Sequence, residues 1–220
     1  MYDGPVQRLR LRFSRGEQLK YISHLDLMRL WERTLRRAGI PMAYSEGFSP
    51  HPRISLAVPL PIGVTSEAEL MDVVVRKGLS PYFFIQQTRP ELPGGLEVLE
   101  VQQVSLTAPS LQSLTRFVEY RVSVHSDGTE DEARGAIAAT LRAEKLPWHH
   151  MRDTGPRHYD LRPLIEDLRL EGWHEGVATL GMRLRCDANG TGRPEQVTAA
   201  LGLTAHPGLV HRTRIILSGS

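Results

Sequence analysis

Between residues 44 and 56 the chain reads YSEGFSPHPRISL, which sets a phenylalanine, a histidine and an arginine on a proline-braced backbone. Pro50 and Pro52 bracket His51. Each proline ring fixes its own φ and drives the preceding residue toward extended geometry, so His51 and Arg53 are presented at low entropic cost. Phe48 offers a ring face for stacking on a base, and Gly47 allows close backbone approach. Such a set suits an anionic, ring-bearing polymer. The competing reading is structural: Phe48 packs inward, Gly47 is a turn, and the prolines join two elements.

A second constellation opens the first helix, where Tyr21 and Ser23 precede His24 and Asp26. If the 44–53 loop folds over this helix start, His24 and His51 form an acid–base pair beside Tyr44. That is the equipment of a metal-independent ribonuclease. The competing reading makes Asp26 the cap partner of Ser23 and leaves His24 a solvated first-turn residue.

Arg8, Arg10 and Arg12 alternate with Leu9, Leu11 and Phe13, which predicts a half-buried strand with one arginine face. Arg29, Arg33, Arg36 and Arg37 share a helix face, partly neutralised by Glu32. Lys20, Lys77 and Lys145 are the only lysines among 27 basic residues. Arginine grips phosphate with a flat two-pronged fork, whereas lysine is a point charge. A GC-rich or thermophilic genome gives the same bias. The net charge of +2 adds no argument for a polyanion by itself.

WHHMRDTGPRHYDLRP, residues 148–163, gathers His149, His150 and His158 with Arg152, Arg157, Asp153, Asp160 and Arg162. A metal site, a phosphate-binding rim and a plain surface hairpin all fit this composition. Adjacent histidines point to opposite sides of a strand and no H-x-x-x-H spacing exists, so no metal is expected. GTGR at 190–193 is too short for a phosphate loop, and no Walker or dinucleotide fingerprint occurs. Cys186 is the only cysteine, which excludes an iron–sulfur cluster held by this chain alone. No cofactor is expected. The start lacks the apolar core of a secretory signal, and no apolar run approaches membrane-spanning length, so a cytoplasmic location is expected.

These residues must be positioned by ordinary elements. Periodicity predicts a strand at 6–13, a helix at 24–38, and strands in ISLAVPLPIGV and at 67–75. A helix opening at Ser80-Pro81 and a strand at 96–104 complete the first half. Residues 105–113 read as a polar linker. The pattern then restarts with FVEYRVSV, an acid-led helix in TEDEARGAIAATLRAE, and strands in YDLRPLIEDLRL and EGVATLGMRLRC. A short helix at RPEQVTAALGL and a strand at LVHRTRIIL end it. Each half thus runs β-α-β-β-α-β. The expected fold is α+β, two ferredoxin-like units with antiparallel sheets, at 1–106 and 114–220.

YISHLDLMRLWERTLRRAGIPMAYSEGFSPHPRISLAVPLPIGVTSEAELMDV closely resembles the opening segment of the radical-SAM-linked family of uncharacterised bacterial proteins. The likeness is dense over residues 8–76 and continues at YDLRPLIEDL and GRPEQVTAAL. It implies a radical SAM enzyme as partner, supplied in trans, and tilts the substrate toward RNA. A second likeness, to the CRISPR repeat-RNA endonucleases, concerns architecture; their C-terminal glycine-rich loop has no counterpart here. The expected function is an RNA-binding accessory protein of a radical SAM enzyme. Its nucleic-acid contacts would be Arg8, Arg10, Arg12, Phe48, His51 and Arg53. The alternatives are the ribonuclease with His24 and His51, and an adaptor that docks on the radical SAM partner without touching RNA.

Overall fold

The computed structural model describes residues 6–152, 155–203 and 206–219, with backbone only at 150–152, 156 and 157. Asp153 lies outside the described residues, as do the side chains of His150, Arg152 and Arg157. The chain divides into two compact units, Met1–Thr115 and Arg116–Ser220.

The first unit begins with β1 (Gln7–Arg15), followed by α1 (His24–Arg37), β2 (Ile54–Leu56) and β3 (Thr65–Val75). Helix α2 (Pro81–Thr88) and β4 (Leu96–Val104) follow. The strand order is β2-β3-β1-β4, and every neighbouring pair is antiparallel. That order and direction are those of a ferredoxin-like sheet. Ser23 caps α1 by accepting from the Asp26 N–H, and its hydroxyl donates to the Asp26 carboxylate, which lowers that carboxyl's pKa. Leu27, Trp31 and Leu35 recur at helical spacing and are buried against Leu9, Leu11 and Phe13 of β1. The Trp31 and Phe13 rings meet edge-on at 5.0 Å. The opposite face of α1 is solvated: Arg29 pairs with Asp26, Arg36 with Glu32, and Arg37 with Glu91. Exposed pairs of this kind add little stability.

Two segments differ from the sequence expectation. ISLAVPLPIGV forms only the three-residue β2, because Pro59 and Pro61 lack the N–H groups a ladder needs. The stretch expected as linker carries a turn of helix, α3 (Leu111–Leu114), capped by Ser110, and Leu111 is fully buried. The same stretch is tied to the sheet, since the Gln112 amide donates to the Leu56 carbonyl.

The second unit contains β5 (Thr115–His125), α4 (Glu130–Arg142), the hairpin β6 (Pro147–Arg152) and β7 (Gly155–Asp160), and β8 (Ile165–His174). It continues with β9 (Val177–Asp187), the two-residue β10 (Gly190–Thr191), α5 (Pro194–Ala200) and β11 (Leu209–Leu217). The main strands lie in the order β8-β9-β5-β11, again the ferredoxin-like arrangement, with the β6–β7 hairpin inserted after α4. The fold is therefore α+β with two ferredoxin-like units of antiparallel strands. A reciprocal box between Thr129 and Glu132 starts α4. His149 and His158 face each other across the hairpin, ring centres 4.3 Å apart.

Asp160 closes the base of that hairpin. Its carboxylate accepts from the N–H groups of Leu146 at 2.7 Å and Arg162 at 3.0 Å, and the Leu146 bond above all holds its pKa below the ordinary 3.8. A carboxyl depressed in the folded state contributes stability above the unfolded pKa and loses it as pH falls through the folded value. Asp160→Asn is therefore expected to melt earlier than the wild type at neutral pH, with the gap closing below pH 3.8. Melting curves across pH check this; a gap that ignores pH would remove the carboxylate from the role.

Candidate nucleic-acid interface

The alternation in β1 does put Arg8, Arg10 and Arg12 on one sheet face, but they meet different surroundings. Asp72 on β3 lies opposite Arg10 in the register and takes both neighbours. Arg8 reaches Asp72 through Nε at 2.9 Å and through Nη2; Arg10 reaches it through Nε at 2.8 Å and Nη2 at 3.1 Å. All three residues are buried, Asp72 at 2% exposure. Arg8 also donates to the carbonyls of Ala108 at 2.6 Å and Pro109 at 3.1 Å, which fastens the segment after β4 across this face. Arg12 alone of the row is exposed, with Glu100 at 3.4 Å. The arginine face is thus only partly open: alternation sets which side chains share it, while the segment after β4, bonded to Arg8 through Ala108 and Pro109, lies over part of it.

The 44–53 loop is a hairpin. Its stem is held by the Ser45 N–H to the His51 carbonyl, the His51 N–H to Ser45 Oγ, and the Arg53 N–H to the Ala43 carbonyl, at 2.8–3.0 Å. Val74 of β3 locks the stem from the other side, donating to the Arg53 carbonyl while its own carbonyl accepts from Ala43. Tyr44 bridges Pro52 and packs on the core, with the Arg76 guanidinium over its ring at 5.7 Å. Gly47 has φ +123°, a value side-chain-bearing residues rarely adopt, and it turns the tip. Beside it Phe48 is fully exposed, at 110%. His51 and Arg53 are exposed too, and among the described residues no ion pair or side-chain hydrogen bond engages either side chain. The backbone of Arg53 is pinned while its guanidinium points into water.

Stem and sheet enclose an open pocket of about 430 Å³. It is lined by His51 and Arg53 of the stem, by Leu106, Ala108 and Ser110 of the segment after β4, and by Arg8, Asp72 and Val74 of the sheet, with Ser45 and Ser55. Three of the residues expected from sequence, Arg8, His51 and Arg53, thus converge. Asp72 is the only acidic residue in the lining, and it is shared with Arg10. Among the lining residues two arginines, Arg8 and Arg53, stand against this one carboxylate, a surplus of one positive charge, and buried Arg10 beside Asp72 adds a further cation to the cluster.

His24 is not part of this pocket. It opens α1, which follows the C-terminal end of β1, whereas the hairpin stem pairs with Val74, opposite Arg8 near the start of β1. The nine residues of β1 separate the two ends, roughly 30 Å at strand rise. The expected acid–base pair of His24 and His51 is therefore not formed, and Tyr44 is an anchor of the stem. Sequence reading missed Asp72, Ser55 and Ser110. A carboxylate inside the apolar run ELMDVVV is the one signal that was there, because a charge in a buried strand needs a partner.

Among solved structures the chain is similar to an archaeal box H/ACA sRNP Nop10–Cbf5 complex at 12% identity and TM-score 0.48, covering 95% of this chain and 47% of that one. It is similar to an H/ACA RNP bound to a substrate RNA containing 2'-deoxyuridine at 11% and 0.48, with coverage of 95% and 47%. A Cbf5–Nop10–Gar1 complex matches at 11% and 0.51, with 95% and 48% covered. The chain spans about half the length of these proteins, and at such identities the likeness is one of fold. No curated protein matches. The family whose model matches, over residues 8–194, is described as "Uncharacterized protein conserved in bacteria (DUF2344)". With most of both ferredoxin-like units inside that match, the chain belongs to this conserved bacterial family.

Proposed function

We propose that this protein binds single-stranded RNA through the 44–53 hairpin and serves as the RNA-presenting accessory of a radical SAM enzyme. The observation that carries the reading is the convergence of unpaired Arg53 and His51 with Arg8 around one pocket, on a hairpin whose Phe48 is fully exposed. Phosphate is held by charge and forked hydrogen bonding, and an exposed ring on a rigid turn stacks on any base. A phenylalanine ring left in water on a pinned turn is free to stack on a base. The radical SAM partner rests on the sequence resemblance at residues 8–76. It suits a chain whose lone thiol, Cys186, is buried and pushed up in pKa by that burial. The ribonuclease reading has lost its second histidine.

Fluorescence anisotropy on a labelled single-stranded oligoribonucleotide tests RNA binding. Affinity is expected to fall linearly on a log–log plot against salt, with a slope of about 0.7 per contacted phosphate. Arg53→Gln is expected to lower affinity about tenfold and the slope by about 0.7. Salt-independent binding, or an unchanged slope in Arg53→Gln, would refute a phosphate contact at this residue. Co-purification of a radical SAM protein from nuclease-treated lysate, with no RNA shift, would favour the adaptor instead.

A further inference from the structure

We infer that the pocket between the hairpin stem and the segment after β4 takes a terminal, phosphorylated nucleotide: a phosphate monoester rather than the internal phosphodiester of an RNA strand. The inference deepens the RNA-binding reading and rests on it for the identity of the ligand's source.

Charge is the first reason. A phosphodiester carries one negative charge, whereas a monoester carries about 1.5 to 2 at neutral pH, its second pKa being near 6. The pocket is lined by Arg8 and Arg53 against the single carboxylate of Asp72, and buried Arg10, paired with the same carboxylate, adds a further cation behind the lining. Two of those arginines are buried, so their field reaches the pocket with little screening by salt.

Hydrogen-bonding capacity is the second. Arg8 already spends its forks on Asp72, Ala108 and Pro109, so it contributes field more than contacts. Arg53 brings its whole guanidinium. The Ser45 hydroxyl accepts from the His51 N–H and keeps its own proton to donate, and Ser55, opposite Asp72 in the register, is among the lining residues. A monoester presents three terminal oxygens to such donors, one more than a diester.

Shape is the third. A volume of about 430 Å³ exceeds a bare phosphate and falls in the range of sites for small organic ligands. Pro52, Ile54, Val74 and Leu106 supply apolar wall for a sugar or base edge. The segment on the far side is itself fastened to Arg8 by two carbonyls, which holds that edge of the pocket in place.

Two sources offer the same chemistry, the end of an RNA and a free mononucleotide, and binding assays separate them. Three versions of one single-stranded 12-mer are compared: 5′-phosphate, 3′-phosphate, and hydroxyl at both ends. AMP and adenosine serve as competitors. One phosphorylated end is expected to bind about tenfold tighter than the hydroxyl-ended strand, with AMP and not adenosine erasing the advantage. Leu106→Glu, an exposed position on the pocket wall, is expected to abolish the end preference. Equal affinity for all three strands, still dependent on Arg53, overturns the end-recognition inference and leaves RNA binding in place. An end preference that survives Leu106→Glu also overturns it, because the phosphate then sits elsewhere. AMP binding without any strand binding keeps the monoester pocket and overturns the RNA reading. No binding of either overturns both.

Discussion

Asp72→Asn is expected to cost about 3–5 kcal/mol of stability, read as a drop in the denaturant midpoint at constant slope. The carboxylate is 2% exposed and is the acceptor for four N–H groups from Arg8 and Arg10. Asparagine offers one acceptor oxygen, no charge, and an amide whose own donors face the guanidiniums. Two buried cations are then left in repulsion with too few acceptors. Arg10→Met is expected to be far milder, since Asp72 retains Arg8 and the apolar stem keeps the packing. This asymmetry distinguishes a buried cluster from a surface pair, for which both changes would fall within about 0.5 kcal/mol. The folded fraction of Asp72→Asn carries a larger positive surplus and should bind RNA at least as tightly as the wild type. A loss below about 1 kcal/mol would place Arg8 and Arg10 in water and undo the account of the pocket.

Much of the architecture was readable because its signals are local. Alternation marks β1, β4 and β11 to within a residue or two, and Ser-Pro at 80–81 marks the start of α2. The order of elements then limits the topology, since strands joined by helices in a β-α-β-β-α-β run close a sheet in few ways. What is not local was not readable. The pattern RLRLRF says that three arginines share a face, and nothing in it says that Ala108 and Pro109, a hundred residues on, lie across Arg8. Likewise His24 and His51 are 27 residues apart in sequence, and only the sheet shows them at opposite ends of β1. The stiffness of the 44–53 loop was legible for a chemical reason: Pro50 and Pro52 restrict backbone torsions whatever the tertiary context, while its pairing into a hairpin against β3 was not. Even there, part of the pocket's lining came from a stretch whose polar composition read as linker.

The double variant Phe48→Ala/Arg53→Glu is expected to lose RNA affinity by about two orders of magnitude with the melting temperature unchanged. Removing a stacked ring costs about 1–3 kcal/mol per base, and reversing the charge on a phosphate contact adds a loss of about 1 kcal/mol or more. Neither side chain supports the fold: Phe48 is 110% exposed, and the Arg53 guanidinium has no partner among the described residues. Stability should therefore stay within about 0.5 kcal/mol of the wild type. The matching control is Arg36→Glu on the solvated face of α1, where Glu32 already neutralises the arginine. It imposes the same change in net charge at a site away from the hairpin. If binding were a diffuse attraction to an arginine-rich protein, the control would weaken it nearly as much. If the hairpin is the contact, the control keeps affinity within a few-fold while the double variant loses it. Equal losses in the two proteins would remove the hairpin from recognition and leave Phe48 unexplained.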